Sequence, residues 1–134
     1  MIVDASAVVA ILQREPSAQA LEDAVANALD AGEPVAWSAG TFVEASIVAD
    51  GPRDPVRSAR FDAIVDAMSA EIVPVTAAHA ALARQAYRDF GGGSGHRARL
   101  NFGDCLSYAL AKERGEPLLY DGDDFVHTDV RSAI

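Results

Sequence analysis

The chain places acidic residues where apolar segments end. Asp4 follows "MIV" and precedes the apolar run "ASAVVAIL"; Glu44 lies in "TFVEASIVAD"; Asp104 lies in "NFGDCLSYALAKERG". A fourth station, "DGDD", supplies Asp121, Asp123 and Asp124 directly after "PLLY". A buried carboxylate without a partner is expensive enough that it takes up a proton or finds a cation or hydrogen-bond donors. Carboxylates gathered at one place repel one another, so they are tolerable only when protons or hard cations neutralise them, and oxygen-rich clusters select Mg²⁺ or Mn²⁺. A divalent ion held this way binds a phosphodiester, lowers the pKa of a bound water and stabilises charge on the leaving oxygen.

Each acid also has a plain structural reading. Asp4 is placed to cap a first helix, and Asp104 to complement the dipole of its own. "TFVE" fits the S/T-x-x-E capping box, with Thr41 as N-cap and Glu44 reaching back. "DGDD" reads equally as a solvated turn. Spacing alone leaves both readings open. No other residues offer better chemistry: Cys105 has no obvious base and reads as core, His79 and His127 lack metal-ligand spacing, and Ser38 and Ser6 lack triad partners. His96 reads as a solvated loop residue, and "GGGSG" lacks the lysine and strand context of a phosphate-binding loop.

The elements that position these acids follow from apolar periodicity. "IVD", "PVAWS", "EIVPV" and "PLLY" read as short strands. Between them lie helical patterns: "ASAVVAILQRE", then a segment opening on Ser17 as N-cap and stopping at Gly32, then "TFVEASIVAD". "VRSARFDAIVDAMSA" is amphipathic, with Phe61, Ile64, Val65 and Met68 on one side. "TAAHAALARQAYRDF" runs into the glycine loop, and the helix holding Asp104 turns Cys105, Leu106, Ala109 and Leu110 inward and stops at Gly115. Strands separated by helices of this length pair in parallel through crossover connections, which predicts a three-layer α/β sandwich. In such sheets ligands bind beyond the carboxyl ends of the strands, where Asp4 and "DGDD" both open.

At 134 residues the chain is expected to form one domain, residues 1–134, with a core that needs no staples. One cysteine, no basic-then-apolar leader and no run of ~20 apolar residues give the expectation of a reduced, cytoplasmic protein with no membrane partner. The net charge of -9 argues against nucleic acid on its face. The positive charge is concentrated, however: ten of the eleven bases are arginines, and Arg84, Arg88, Arg97 and Arg99 fall within sixteen residues.

"MIVDASAVVAIL", "ARLNFGDCLSYALAKERGEPLLYDGDDFVHTDV" and an acid in the second quarter resemble the PIN-domain ribonuclease toxins of the VapC family, over the length of the chain. The resemblance implies a PIN-like three-layer α/β/α sandwich with a central parallel sheet. It also implies a Mg²⁺- or Mn²⁺-dependent endoribonuclease, the toxin of a type II toxin-antitoxin system. Such toxins are usually homodimers, held inactive by a cognate VapB-type antitoxin that inserts into the active-site groove. Position by position, Asp4 matches the first acid, Glu44 the second and Asp104 the third. The fourth falls to Asp123 or Asp124, because Gly122 stands where many PIN domains carry an acid three residues before the phenylalanine. Asp121 stands where related toxins often have a neutral or basic residue. Ser6 resembles the small hydroxyl residue that orients the first acid. In this reading Asp4 and Asp104 bind the metal, Glu44 and Asp123 or Asp124 position metal or water, and Arg97 and Arg99 hold RNA phosphates. Two other classes compete: a non-catalytic α/β module whose acidic rim docks a basic partner segment, and a metal-dependent phosphatase.

Overall fold

A computed structural model describes residues 1–134. Strands β1 (Ile2–Val3), β2 (Ala36–Ser38), β3 (Glu71–Val73) and β4 (Leu118–Leu119) form one parallel sheet in the order β3-β2-β1-β4. The register sets Ile2 opposite both Ala36 and Leu118, and Val3 opposite Leu119. Six helices cover the sheet: α1 (Ala5–Gln13), α2 (Ala18–Asp30), α3 (Ala39–Asp50), α4 (Pro55–Met68), α5 (Ala77–Phe90) and α6 (Phe102–Arg114). None is long and apolar enough to cross a membrane.

Successive strand residues point to opposite faces of a sheet, and this alternation divides the interior in two. Val3, Trp37 and Leu119 face a core built with Val8, Ile11 and Leu12 of α1, Leu21 and Val25 of α2, Ala45 and Ala49 of α3, and Phe61 and Met68 of α4. Their neighbours Ile2, Ala36 and Leu118 face the other core, with Ala86 of α5 and Cys105, Tyr108 and Leu110 of α6. Both faces are thus covered, and a sheet covered on both faces needs apolar side chains at every strand position. That explains why "IV", "AW" and "LL" read as unbroken apolar pairs. The three-layer architecture expected from the sequence is the one observed.

Two local expectations fail. Ser17 makes no side-chain cap; its backbone already lies in the helical region at φ -78, ψ -15. The capping box over "TFVE" is absent, because α3 begins at Ala39 with Ser38 as N-cap, its hydroxyl accepting from the Gly40 N–H at 3.3 Å. Thr41 instead lies inside the helix, fully buried, with its Oγ1 2.9 Å from the Ser107 Oγ of α6. This hydroxyl pair is a polar tie through the interior between the helices that carry Glu44 and Asp104.

A buried hydroxyl stripped of its partner costs about 1–3 kcal/mol, whereas removing both partners is close to neutral. Thr41→Val should therefore destabilise the fold by that amount, and Thr41→Val combined with Ser107→Ala should recover most of it. Urea denaturation of the double-mutant cycle reads the coupling; strictly additive effects would contradict the tie.

Candidate active site

Strand order places β1 at the point where the chain changes direction across the sheet: β2 and β3 lie to one side of it and β4 to the other. At such a switch point the loops leaving the carboxyl ends of neighbouring strands diverge and open a crevice. Asp4 stands at that opening. Its N–H is tied to the Leu119 carbonyl at 2.9 Å, and the residue is 2% exposed.

Only half of the Asp4 carboxylate is used by the fold. As N-cap of α1 in extended backbone, its Oδ2 accepts from the Ser6 N–H at 2.9 Å and the Ser6 hydroxyl at 2.6 Å. The Ser6 Oγ in turn accepts from the Asp121 N–H at 3.1 Å, so the loop after β4 helps to fix the orientation of Asp4. The other oxygen, Oδ1, is buried without any hydrogen-bond partner. Capping therefore describes one oxygen of Asp4 and leaves the second unexplained.

Asp104 shows the same double use. Asn101 and Asp104 form the capping box of α6: Asn101 Oδ1 accepts from the Asp104 N–H at 2.9 Å, and Asp104 Oδ2 accepts from the Asn101 N–H at 2.8 Å. That second bond favours the ionised carboxylate, yet burial outweighs it. Burial first, then the nearby charges of Asp4, Asp124 and Glu44, push the Asp104 carboxyl up to about 7. Glu44, half-buried on α3 and free of any capping duty, is also raised, by burial and then by Asp4.

Gly103 is part of this arrangement. A Cβ there would collide with Glu44 Oε2, so glycine lets the start of α6 pass over the Glu44 carboxylate where it stands, and any side chain would push that carboxylate aside. Asp4, Glu44, Asp104 and Asp124 are thus brought within electrostatic reach of one another. Asp123 is exposed and is not among the charges acting on Asp104 or Glu44. The Asp121 backbone, not its charge, is what the site engages.

These donors suit a hard divalent cation. No three acidic, histidine or cysteine side chains close into a complete cage. A magnesium-type ion does not need one, because it keeps several waters and takes only one or two carboxylates. The unpartnered Asp4 Oδ1, beside carboxyls whose pKa values are raised by burial and then by one another's charge, is the oxygen such an ion would satisfy.

Arg97 and Arg99 are exposed in the loop ahead of α6 and make no ion pair; Arg99 holds the left-handed backbone at φ 56. Cys105, His79 and His96 are structural. Burial, then Asp104, raises the Cys105 thiol to about 11. His79 caps α5 with Thr76 and pairs with Glu113. His96 packs edge-on against Phe90 at 5.0 Å, with its Nδ1 accepting from the Ala98 N–H, so it is part of the loop's own framework rather than a solvated side chain. Sequence reasoning did not single out Asn101 and Gly103. Their signal was "NFGD", where an Asn-to-Asp spacing of three is a capping box and the glycine between marks a close approach.

The chain matches the PIN domain over residues 1–131. It is 52% identical to ribonuclease VapC28 of Mycobacterium tuberculosis over 134 residues, covering 100% of this chain and 98% of that one. It is 47% identical to the VapC ribonuclease Mb2780c of Mycobacterium bovis over 133 residues, 99% and 98% of the two chains. A ribonuclease VapC of Mycolicibacterium smegmatis is 44% identical over 131 residues, 97% of each. With the likeness running from end to end and the acids at the switch point of the sheet, this chain belongs to the PIN-domain family and, within it, to the VapC group.

Proposed function

We propose that the chain is an endoribonuclease toxin of the VapBC type, dependent on Mg²⁺ or Mn²⁺, acting as one PIN domain in the cytoplasm. The observation that carries this reading is the buried, unpartnered Asp4 Oδ1 at the centre of carboxyls held above their ordinary range. The end-to-end similarity to ribonucleases of the VapC name supports it.

Asp4 Oδ1 and the free oxygen of Asp104 would hold the ion, which when bound supplies positive charge to a scissile phosphate and acidifies a water. Ser6 keeps Asp4 turned toward the site through its two bonds to Oδ2. Glu44 is the residue best suited to take a proton from the attacking water, since burial and Asp4 lift its affinity for one. Of the two candidate fourth acids, Asp124 is favoured over Asp123, because only Asp124 acts on Asp104. Arg97 and Arg99 would grip backbone phosphates, offsetting the repulsion of the acid rim.

The proposed partners are RNA, a cognate VapB-type antitoxin and a second copy of the chain. For the dimer the support is the exposed apolar side of α3 along the Glu44 cavity, where Val43, Ile47 and Val48 are 53%, 66% and 37% exposed.

Cleavage of RNA by antitoxin-free protein in Mn²⁺, abolished by EDTA, is the expected activity. Glu44→Gln should fold at least as well as wild type, because it removes one charge from a crowded cluster and no cap depends on it. Cleavage by this variant should fall about a hundredfold or more. Asp104→Asn keeps an oxygen for the Asn101 N–H and should behave likewise. Gly103→Ala should lose activity by displacing Glu44 while both acids remain. Full cleavage by Glu44→Gln would remove it from the catalytic set, and metal-independent cleavage would overturn the reading.

A further inference from the structure

Beside the acid rim, α5, the glycine loop and the start of α6 enclose a second and larger space, a cavity of 920 Å³. Arg84 and Tyr87 of α5, Arg99 of the loop and Phe102 of α6 line it. Phe102 and Asn101 also line the cavity of 400 Å³ that contains Glu44 and Gly103, so the two spaces adjoin at Asn101 and the Phe102 ring. That ring is 82% exposed, far more than an aromatic side chain serving only the core.

Two features give this cavity a chemistry. Neither Arg84 nor Arg99 makes a hydrogen bond or an ion pair, although the chain carries 20 acids to 11 bases. Two unpaired guanidinium groups on a lining that is otherwise mostly apolar, with Ala83, Leu100 and Leu106, suit a ligand that joins a phosphate to a flat apolar part. Tyr87 supplies a fixed flat face. Its hydroxyl donates to the Gly92 carbonyl at 3.0 Å, and a Cβ on Gly91 would lie 2.5 Å from its ring, so glycine lets the ring rest against the backbone. Tyr87 remains 51% exposed while held this way. A pinned aromatic face between two free cations is the combination that binds a nucleotide, base on the ring and phosphate on the guanidinium.

We infer that this cavity receives one unpaired nucleotide of a single-stranded RNA, next to the bond cleaved at the acid rim. The inference rests on the ribonuclease reading for the position of the scissile bond. A second copy of the chain is the competing occupant, and sedimentation mass separates it from RNA. Duplex RNA is a poorer ligand than a single strand, because its bases are paired and stacked out of reach of the pocket.

The test is fluorescence anisotropy with a short, labelled, mixed-sequence single-stranded oligoribonucleotide in EDTA at low salt, with the same sequence as a duplex for comparison. Wild type should bind the single strand more tightly. Tyr87→Ala should weaken that binding about 5- to 150-fold, and Tyr87→Trp should restore it. Arg84→Ala, at an exposed position, should lower affinity and reduce the salt slope by about 0.7 of a unit for one lost phosphate contact.

Cleavage by wild type in Mn²⁺ and sedimentation mass are measured alongside. If wild type cleaves, but Tyr87→Ala and Arg84→Ala bind the single strand as wild type does, the pocket is overturned and the ribonuclease reading stands. If wild type does not cleave, yet binding depends on these residues, the ribonuclease reading fails and the pocket stands. A fall in mass in these variants with RNA binding unchanged assigns the cavity to a second copy and overturns the proposal.

Discussion

The carboxylate of Asp4 is the constraint around which the molecule is arranged. One of its oxygens is consumed by the fold and the other is held, buried, with nothing to bond. Burial lifts the proton affinity of Glu44 and Asp104 beside it, and the charge of Asp4 adds to the effect in both. The sign of the resulting pH dependence follows. An acid held at about 7 against an ordinary 3.8 keeps its proton in the native state after the unfolded chain has released it. The contribution of Asp104 to stability is therefore fully present below about pH 4 and is lost as pH rises to about 7. At neutral pH the acid cluster works against the fold that displays it.

The rest of the structure tolerates this by making the same residues structural. Asp4 begins α1, Asp104 begins α6, and Ser6 links the first of these to the loop after β4. Each acid is thus placed by backbone hydrogen bonds at a helix start, which aims it with little conformational freedom. Glu44 has no such bond; the Thr41–Ser107 tie and the glycine at 103 set its position instead. Two strands of only two residues, β1 inside the sheet and β4 at its edge, suffice because both of their faces are buried against helices.

Much of this was legible in the sequence, for reasons that the structure makes clear. Paired apolar residues between helical patterns announced a parallel sheet covered on both sides, and Asp4 and "DGDD" fell at strand ends by the same logic. What misled was the start of α3. "SAGTFVE" contains two acceptable caps, Ser38 and Thr41, and local chemistry alone does not choose between them. The choice was made at long range, by burial of Thr41 against Ser107 and by Gly40, where a Cβ would lie 2.4 Å from Leu106 Cδ1. The fourth acid was ambiguous for a similar reason. Asp123 and Asp124 differ only in how the turn approaches Phe125, which is anchored in the core at 2% exposure, and Gly122 at φ 90 lets the chain make that turn.

The central claim is that a divalent cation takes the place of protons in this cluster, and the number of protons displaced measures it directly. Mn²⁺ binding by isothermal titration calorimetry, in buffers of different ionisation enthalpy, gives that number at each pH. Since the Asp104 carboxyl titrates at about 7, binding at pH 6 should release close to one proton, and the release should vanish by about pH 8.5. Affinity should rise about tenfold per pH unit below 7 and level off above it. Binding with the same affinity and no proton release across this range, or no binding at all, would contradict the account.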